Sequence, residues 1–328
     1  MEKKQITIII VVLSFSSCLL LKNEIKKENY ILPQMRYEQE NKITEVRVEL
    51  GKKLFFDPVF SIDSSMSCAS CHNPTLAFAD TQKFTSGVFG RAGIRNVPSL
   101  INIGYHPYFL REGSVPTIEM QALIPIQEKN EFAHNIVDIA NQIKDNVEYA
   151  RLSQLAYNRE LDHYVITRAL GVFQRTLISN NSKFDKYIAG KRKLSKQEKN
   201  GMNVFFGKGN CSTCHGGYNF TSYKLTNNGL YEKYEDVGRM RATKDSNDLA
   251  LFKTPSLRNV SITYPYMHDG SINSLTEVIF HYNEGGKAHK NKDTLIEPLS
   301  LTKSEMNNLE LFLNCLTDEK YINPIQND

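Results

Sequence analysis

Two five-residue stretches carry the chemistry that is easiest to name. Cys68-Ala69-Ser70-Cys71-His72 and Cys211-Ser212-Thr213-Cys214-His215 both spell C-x-x-C-H, the attachment signature of c-type haem. Thiols three positions apart on one helical turn can both add to the haem vinyl groups, and the imidazole that follows then sits beneath the iron as its proximal ligand. A zinc site or a pair of redox dithiols would also use paired cysteines. Neither explains a His directly after each pair, and a redox dithiol needs no second copy in the same frame. The spacing therefore predicts two covalently bound haem c groups. One is held by Cys68 and Cys71 with His72 on its iron, the other by Cys211 and Cys214 with His215.

The frames must be presented on turns, and the flanking sequence shows how. Gly51-Lys52-Lys53-Leu54-Phe55-Phe56 precedes the first frame as Gly201-Met202-Asn203-Val204-Phe205-Phe206 precedes the second, a weak internal repeat in which each half is a cytochrome-like unit. Ser195 with Glu198, Ser274 with Glu277 and Thr302 with Glu305 have capping-box spacing at helix starts. Ile136, Ile139, Ala140, Ile143 and Val147 keep helical period, as do Val165, Ala169, Val172 and Phe173. No sustained apolar/polar alternation occurs. The expected fold is mainly α, two cytochrome c-like haem domains with long irregular loops near residues 73–118 and 216–265 wrapping the haems. The basic turn Gly190-Lys191-Arg192-Lys193 marks the boundary, giving domains 37–190 and 191–328.

The chain has 328 residues, 41% hydrophobic and 23% charged, with 40 Lys and Arg against 36 Asp and Glu for a net charge of +4. That balance leaves no basic excess that calls for nucleic acid. A chain of this length buries enough surface to fold without disulfides, so its six cysteines are not required as a cross-linked scaffold. Four lie in the haem frames, and Cys315, set among Leu311, Phe312 and Leu316, reads as a buried hydrophobe. The sixth, Cys18, lies near the end of an apolar stretch from Ile6 to Leu21 that follows Lys3 and Lys4. Residues 1–21 read as a secretory signal, shorter than the roughly 20 apolar residues of a membrane-spanning helix. The small residues before Cys18 resemble a bacterial lipoprotein box, with Phe15 a departure, so Cys18 is expected to become a lipidated N-terminus, simple cleavage being the alternative. Residues 22–36 then form a polar tether, and the working compartment is the periplasm.

With these pieces assembled, the chain resembles the bacterial di-haem cytochrome c peroxidase family, which includes the MauG-type enzymes, over nearly its whole length after residue 40. The resemblance rests on Leu54-Phe55-Phe56-Asp57-Pro58 with the first haem frame and on Arg95-Asn96-Val97-Pro98-Ser99-Leu100. It continues in Lys253-Thr254-Pro255-Ser256-Leu257-Arg258-Asn259-Val260 and Pro265-Tyr266-Met267-His268-Asp269-Gly270. The family implies that the N-terminal haem is peroxidatic and open to hydrogen peroxide, and that the C-terminal haem accepts and relays electrons. It implies Gln121, Pro125 and Glu131 on the distal side of the peroxidatic haem, Glu131 moving a proton during O–O cleavage. Some members plug this site with a His in the loop after the first frame. None lies between His72 and His106 here, so the site is expected to be open at rest.

For the relay haem the family places its sixth ligand fourteen residues after the His of the Pro-Tyr-x-His-Asp-Gly motif, which is Tyr282. Met stands there in many peroxidases and Tyr in MauG-type enzymes; Met267 and His281 are nearby rivals. Asn96 and the backbone carbonyls of Thr263 and Pro265 match a calcium site of the family. An inter-haem Trp common in the family is missing, since the chain has no Trp; Phe109, Tyr105 or Tyr108, in or near the aligned stretch Phe109-Leu110-Arg111-Glu112-Gly113, stand in its region. His106, His134, His163 and His289 read as surface or structural residues. The function implied is a cytochrome-c peroxidase that reduces hydrogen peroxide to water with electrons from a small c-type cytochrome or similar donor. A MauG-like oxidase acting on a partner protein and a non-enzymatic di-haem electron carrier are the alternatives. The partners expected are hydrogen peroxide, the electron donor, a lipid anchor at Cys18 and a second copy in a homodimer.

Overall fold

The computed structural model describes residues 26–322 except Arg36 and Glu38. The signal segment, Cys18 and the first residues of the expected tether lie outside the described residues. The α-helices are α1 (Glu45–Phe56), α2 (Cys68–Cys71), α3 (Ile118–Gln121), α4 (Leu123–Gln127), α5 (Ile136–Ile143) and α6 (Val147–Tyr157). They continue with α7 (His163–Arg175), α8 (Lys183–Ile188), α9 (Lys196–Phe206), α10 (Met240–Thr243), α11 (Leu275–Asn283) and α12 (Lys303–Asn314). One small antiparallel ribbon, β1 (Leu225–Thr226) with β2 (Phe252–Lys253), is the sheet among the described residues. The three capping boxes form at α9, α11 and α12.

The glycines of the internal repeat explain how its helices cross. A Cβ on Gly51 would lie 2.0 Å from the carbonyl oxygen of Ala169 in α7, and one on Gly201 would lie 1.8 Å from that of Asn308 in α12. Only a residue with no side chain permits such backbone contact. Each crossing drives the following phenylalanine, Phe55 or Phe205, fully into a core. The first core gathers Leu50, Leu54, Phe55, Ile126, Ile139 and Val165 and abuts Cys68; the second gathers Phe184, Phe205, Phe220, Leu309 and Phe312 and abuts Cys211.

Four residues depart from the sequence reading. Phe184 of α8 packs on Phe220 and Phe312 with ring centroids 5.3 and 5.5 Å apart, so the chain has reached the second core before Gly190. Tyr30, within the expected tether, is buried against Phe184, Phe206 and Phe220. At the other end Tyr321 packs into the first core and donates to the Ile178 carbonyl at 2.8 Å. Each terminal segment thus crosses to the opposite core and straps the halves together. Val147 does not extend the α5 stripe. Asn146 caps α6 by accepting from the Glu148 and Tyr149 amides, which leaves Val147 exposed at the first position of the new helix.

The repeat runs further than the haem frames. Asn102 and Asn259 both take the left-handed conformation, φ 57° and 60°, and each side-chain oxygen accepts a distant backbone amide, from Ser179 and Asp318 respectively. The bridge Phe109 to Val115 encloses Leu110-Arg111-Glu112-Gly113 as Tyr266 to Ile272 encloses Met267-His268-Asp269-Gly270. Both turns carry positive φ at their first and last residues, 64° at Leu110 and Gly113 against 75° at Met267 and 64° at Gly270. Arg111 therefore corresponds to His268. Fourteen residues on from each, Pro125 corresponds to Tyr282.

Candidate functional site: a cavity between two haem frames

A cavity of about 630 Å³ runs between the halves and is lined by Cys68, Cys71 and His72 from one frame and Cys211, Cys214 and His215 from the other. The frames share one backbone device. The His72 amide donates to the Cys68 carbonyl at 2.9 Å, and the His215 amide to the Cys211 carbonyl at 2.8 Å. Each bond closes one turn that presents both thiols and the imidazole together.

Both imidazoles are oriented from behind. His72 Nδ1 lies 3.0 Å from the Phe78 carbonyl, and His215 Nδ1 lies 3.3 and 3.2 Å from the carbonyls of Phe220 and Pro255. A carbonyl only accepts, so Nδ1 carries the hydrogen and Nε2 keeps its lone pair for a metal. Burial holds His72 below the usual range and takes His215 down to about 4, so both stay neutral. Burial also pushes the Cys68, Cys71 and Cys211 thiols up to about 12, the reverse of what a reactive dithiol or a thiolate metal site needs. Among the described residues no three or more His, Cys, Asp or Glu side chains converge as a metal-ligating group. The donor set fits covalent haem and not zinc.

Gln121 at the end of α3, Pro125 within α4 and Glu131 in the turn before α5 all line the cavity with the first frame. Glu131 is not a helix-start acid, because α5 begins only at Ile136, capped by Asn135. Its turn is fixed by its amide donating to the Glu128 carbonyl and its carbonyl accepting from Val88, each at 2.9 Å. A Cβ on Gly87 would meet the Asn130 oxygen at 2.1 Å, so that glycine is what lets the neighbouring loop close on the turn. Glu131 is an exposed residue of this turn, and it lines the cavity. Burial by the surrounding protein, with the charge of Glu128, pushes its carboxyl up to about 7.

In the second half Tyr282 and Met267 line the same cavity, and Asn228 Nδ2 reaches both, 3.4 Å from the Tyr282 hydroxyl and 3.3 Å from the Met267 sulfur. Burial pushes the Tyr282 phenol up, so a ligating phenolate would need a metal's charge to form. His281 turns away and donates through Nε2 to the Asn228 carbonyl at 3.0 Å. Where the second half has Tyr282, the first has Pro125, a side chain with no donor atom to offer an iron.

Asn96, Thr263 and Pro265 also line the cavity. Both oxygens of Asn96 accept hydrogen bonds from Arg111, a residue to which no role attaches in the sequence. His106 is half-buried. Its Nδ1 faces the Lys253 ammonium at 3.2 Å, its Nε2 has no partner, and burial with the Lys253 charge holds its pKa well below the usual range.

Helical halves, each with paired thiols and a carbonyl-anchored imidazole facing one apolar cavity, define a cytochrome of the covalent di-haem class. The comparisons narrow that class. The family model for di-haem cytochrome c peroxidase matches residues 45–193. The methylamine utilization protein MauG of Methylorubrum extorquens is 34% identical over 285 residues, 85% of this chain and 80% of that protein. The cytochrome c551 peroxidase of Nitrosomonas europaea is 32% identical over 279 residues, 83% of this chain and 80% of that protein. A crystal structure of a MauG-like protein associated with microbial copper homeostasis superposes with a TM-score of 0.85 at 31% identity, covering 89% of this chain and 95% of that one. The chain belongs to the di-haem cytochrome c peroxidase family.

Proposed function

We propose that the protein reduces hydrogen peroxide to water with electrons from a c-type cytochrome or similar donor, working in the periplasm. Bound through the two frames, the haems would supply irons that change oxidation state, one of them open to peroxide. The rest is the work of this chain's side chains. The observation that carries the reading is the asymmetry of the repeat: Pro125 and Glu131 border the first frame where Tyr282 borders the second. Glu131, with its carboxyl near 7, can take a proton from one peroxide oxygen and return it to the other, so that water leaves as the O–O bond breaks. The Gln121 amide can orient the peroxide, and Pro125 keeps the distal face free of a competing ligand.

The apolar leader and a cofactor attached outside the cytoplasm support the periplasmic assignment, and no described helix is long and apolar enough to cross a membrane. The experiment is the oxidation of a reduced small c-type cytochrome by peroxide. Two one-electron donors consumed per peroxide is the expected result, and no donor oxidation overturns the proposal. A second reading, an oxidase acting on a partner protein, is favoured by Tyr282 at the relay position and by the likeness to MauG. It would appear as oxidation of a protein side chain in place of donor turnover.

A further inference from the structure

Asn96 is 5% exposed, and every polar group it has is engaged. Its amide donates to the His268 carbonyl at 3.0 Å, and its Nδ2 to the Gln82 carbonyl at 3.2 Å. Its backbone oxygen accepts from Arg111 Nε at 3.0 Å and Nη2 at 2.8 Å, and its Oδ1 from Nη2 at 2.9 Å. Because Arg111 and His268 are corresponding residues of the repeat, Asn96 is clamped between two matching turns, one from each half.

Charge accounts for the clamp as well as geometry. Arg95 pairs with both Glu112 and Asp236, and Asp269 accepts from the Tyr231 hydroxyl at 2.6 Å and the Ser271 amide at 3.1 Å. These three carboxylates surround Arg111, and Lys253 is the third cation of the group. Three cations thus face three carboxylates. Calcium takes six to eight hard oxygens, but the two that Asn96 owns already face guanidinium donors, which carry a permanent charge in a fixed planar fork. A calcium ion on those oxygens would sit against a like charge and upset a balanced group.

We propose that the Arg111 guanidinium takes the place of the calcium ion that the family resemblance puts at Asn96, Thr263 and Pro265, so that this protein joins its two halves with a built-in cation and needs no calcium. The inference goes beyond the peroxidase reading and does not depend on it, because it is read on unreacted protein.

The test is elemental analysis of the holoprotein after exposure to calcium and thorough desalting, together with haem spectra before and after a calcium chelator. Less than about a tenth of a calcium per chain and unchanged spectra are expected. One calcium per chain, with a chelator-induced spectral change reversed by calcium, overturns the proposal. The charge is tested separately by redox titration of Arg111→Gln and Arg111→Lys. Removing a nearby cation disfavours the reduced iron, so Arg111→Gln should raise the ferric-to-ferrous ratio of at least one haem about tenfold at a fixed potential, and Arg111→Lys should restore most of it. Potentials unchanged in a folded Arg111→Gln protein would also overturn it.

Discussion

Replacing Glu131 with Gln removes the titrating proton and keeps the shape of the side chain. The magnitude follows from the position of the carboxyl, which burial and the charge of Glu128 push up to about 7. If the carboxylate is the form that takes the peroxide proton, about half the wild-type protein is competent at that pH, and the competent fraction falls roughly tenfold for each unit below it. The second-order rate with peroxide should therefore fall to about a hundredth of its plateau value two units below the inflection and level off above it. In Glu131→Gln the inflection should vanish and the plateau rate should fall by roughly 100-fold or more, the usual scale for a general acid–base residue. Stopped-flow absorbance of the haem bands across pH measures both effects. A wild-type rate that is flat in pH, or a Gln variant that reacts at the wild-type rate, would leave Glu131 a turn residue with no part in O–O cleavage.

Three further substitutions probe the second haem and the helix crossing. If Tyr282 ligates the second haem, Tyr282→Met should raise that haem's potential, because an anionic oxygen favours ferric iron. The wild type should also lack the weak red absorption band of methionine–iron ligation; finding that band, and losing it in Met267→Leu, would move the ligand role to Met267. Gly201→Ala would place a Cβ 1.8 Å from the Asn308 carbonyl oxygen and force α9 off α12. It should cost about 2 kcal/mol or more and lower the melting temperature of the holoprotein by roughly 4–8 °C; an unchanged melting temperature would show that the crossing has room to spare.

The parts of this molecule that were legible in its sequence are those whose chemistry is local. The C-x-x-C-H frames and the three capping boxes depend on residues within four positions of one another, and each forms the turn its spacing specifies. The close-packed helix crossings showed only as a repeated Gly followed by Phe-Phe, with no partner named. Tyr30 and Tyr321 gave no signal, because their burial depends on cores on the far side of the molecule. Val147 misled because apolar spacing continues across Asn146, and the cap decides where the helix restarts. The correspondence of Arg111 with His268, and through it of Pro125 with Tyr282, is carried by matching positive-φ turns whose residues differ. Arg111 was silent for a further reason: most of its bonds run to a backbone carbonyl.

Everything proposed for the reaction depends on the two frames standing in different surroundings, the first open beside Pro125 and Glu131 and the second closed by the Tyr282 side. That difference is measured by mixing fully oxidised holoprotein, never reduced beforehand, with one equivalent of hydrogen peroxide and following the haem bands in the stopped flow. An immediate spectral change, reversed when reduced c-type cytochrome is added, is the result expected of an open first site. Resting protein that is inert to peroxide until an electron is supplied would contradict it, since some other group would then be closing that site.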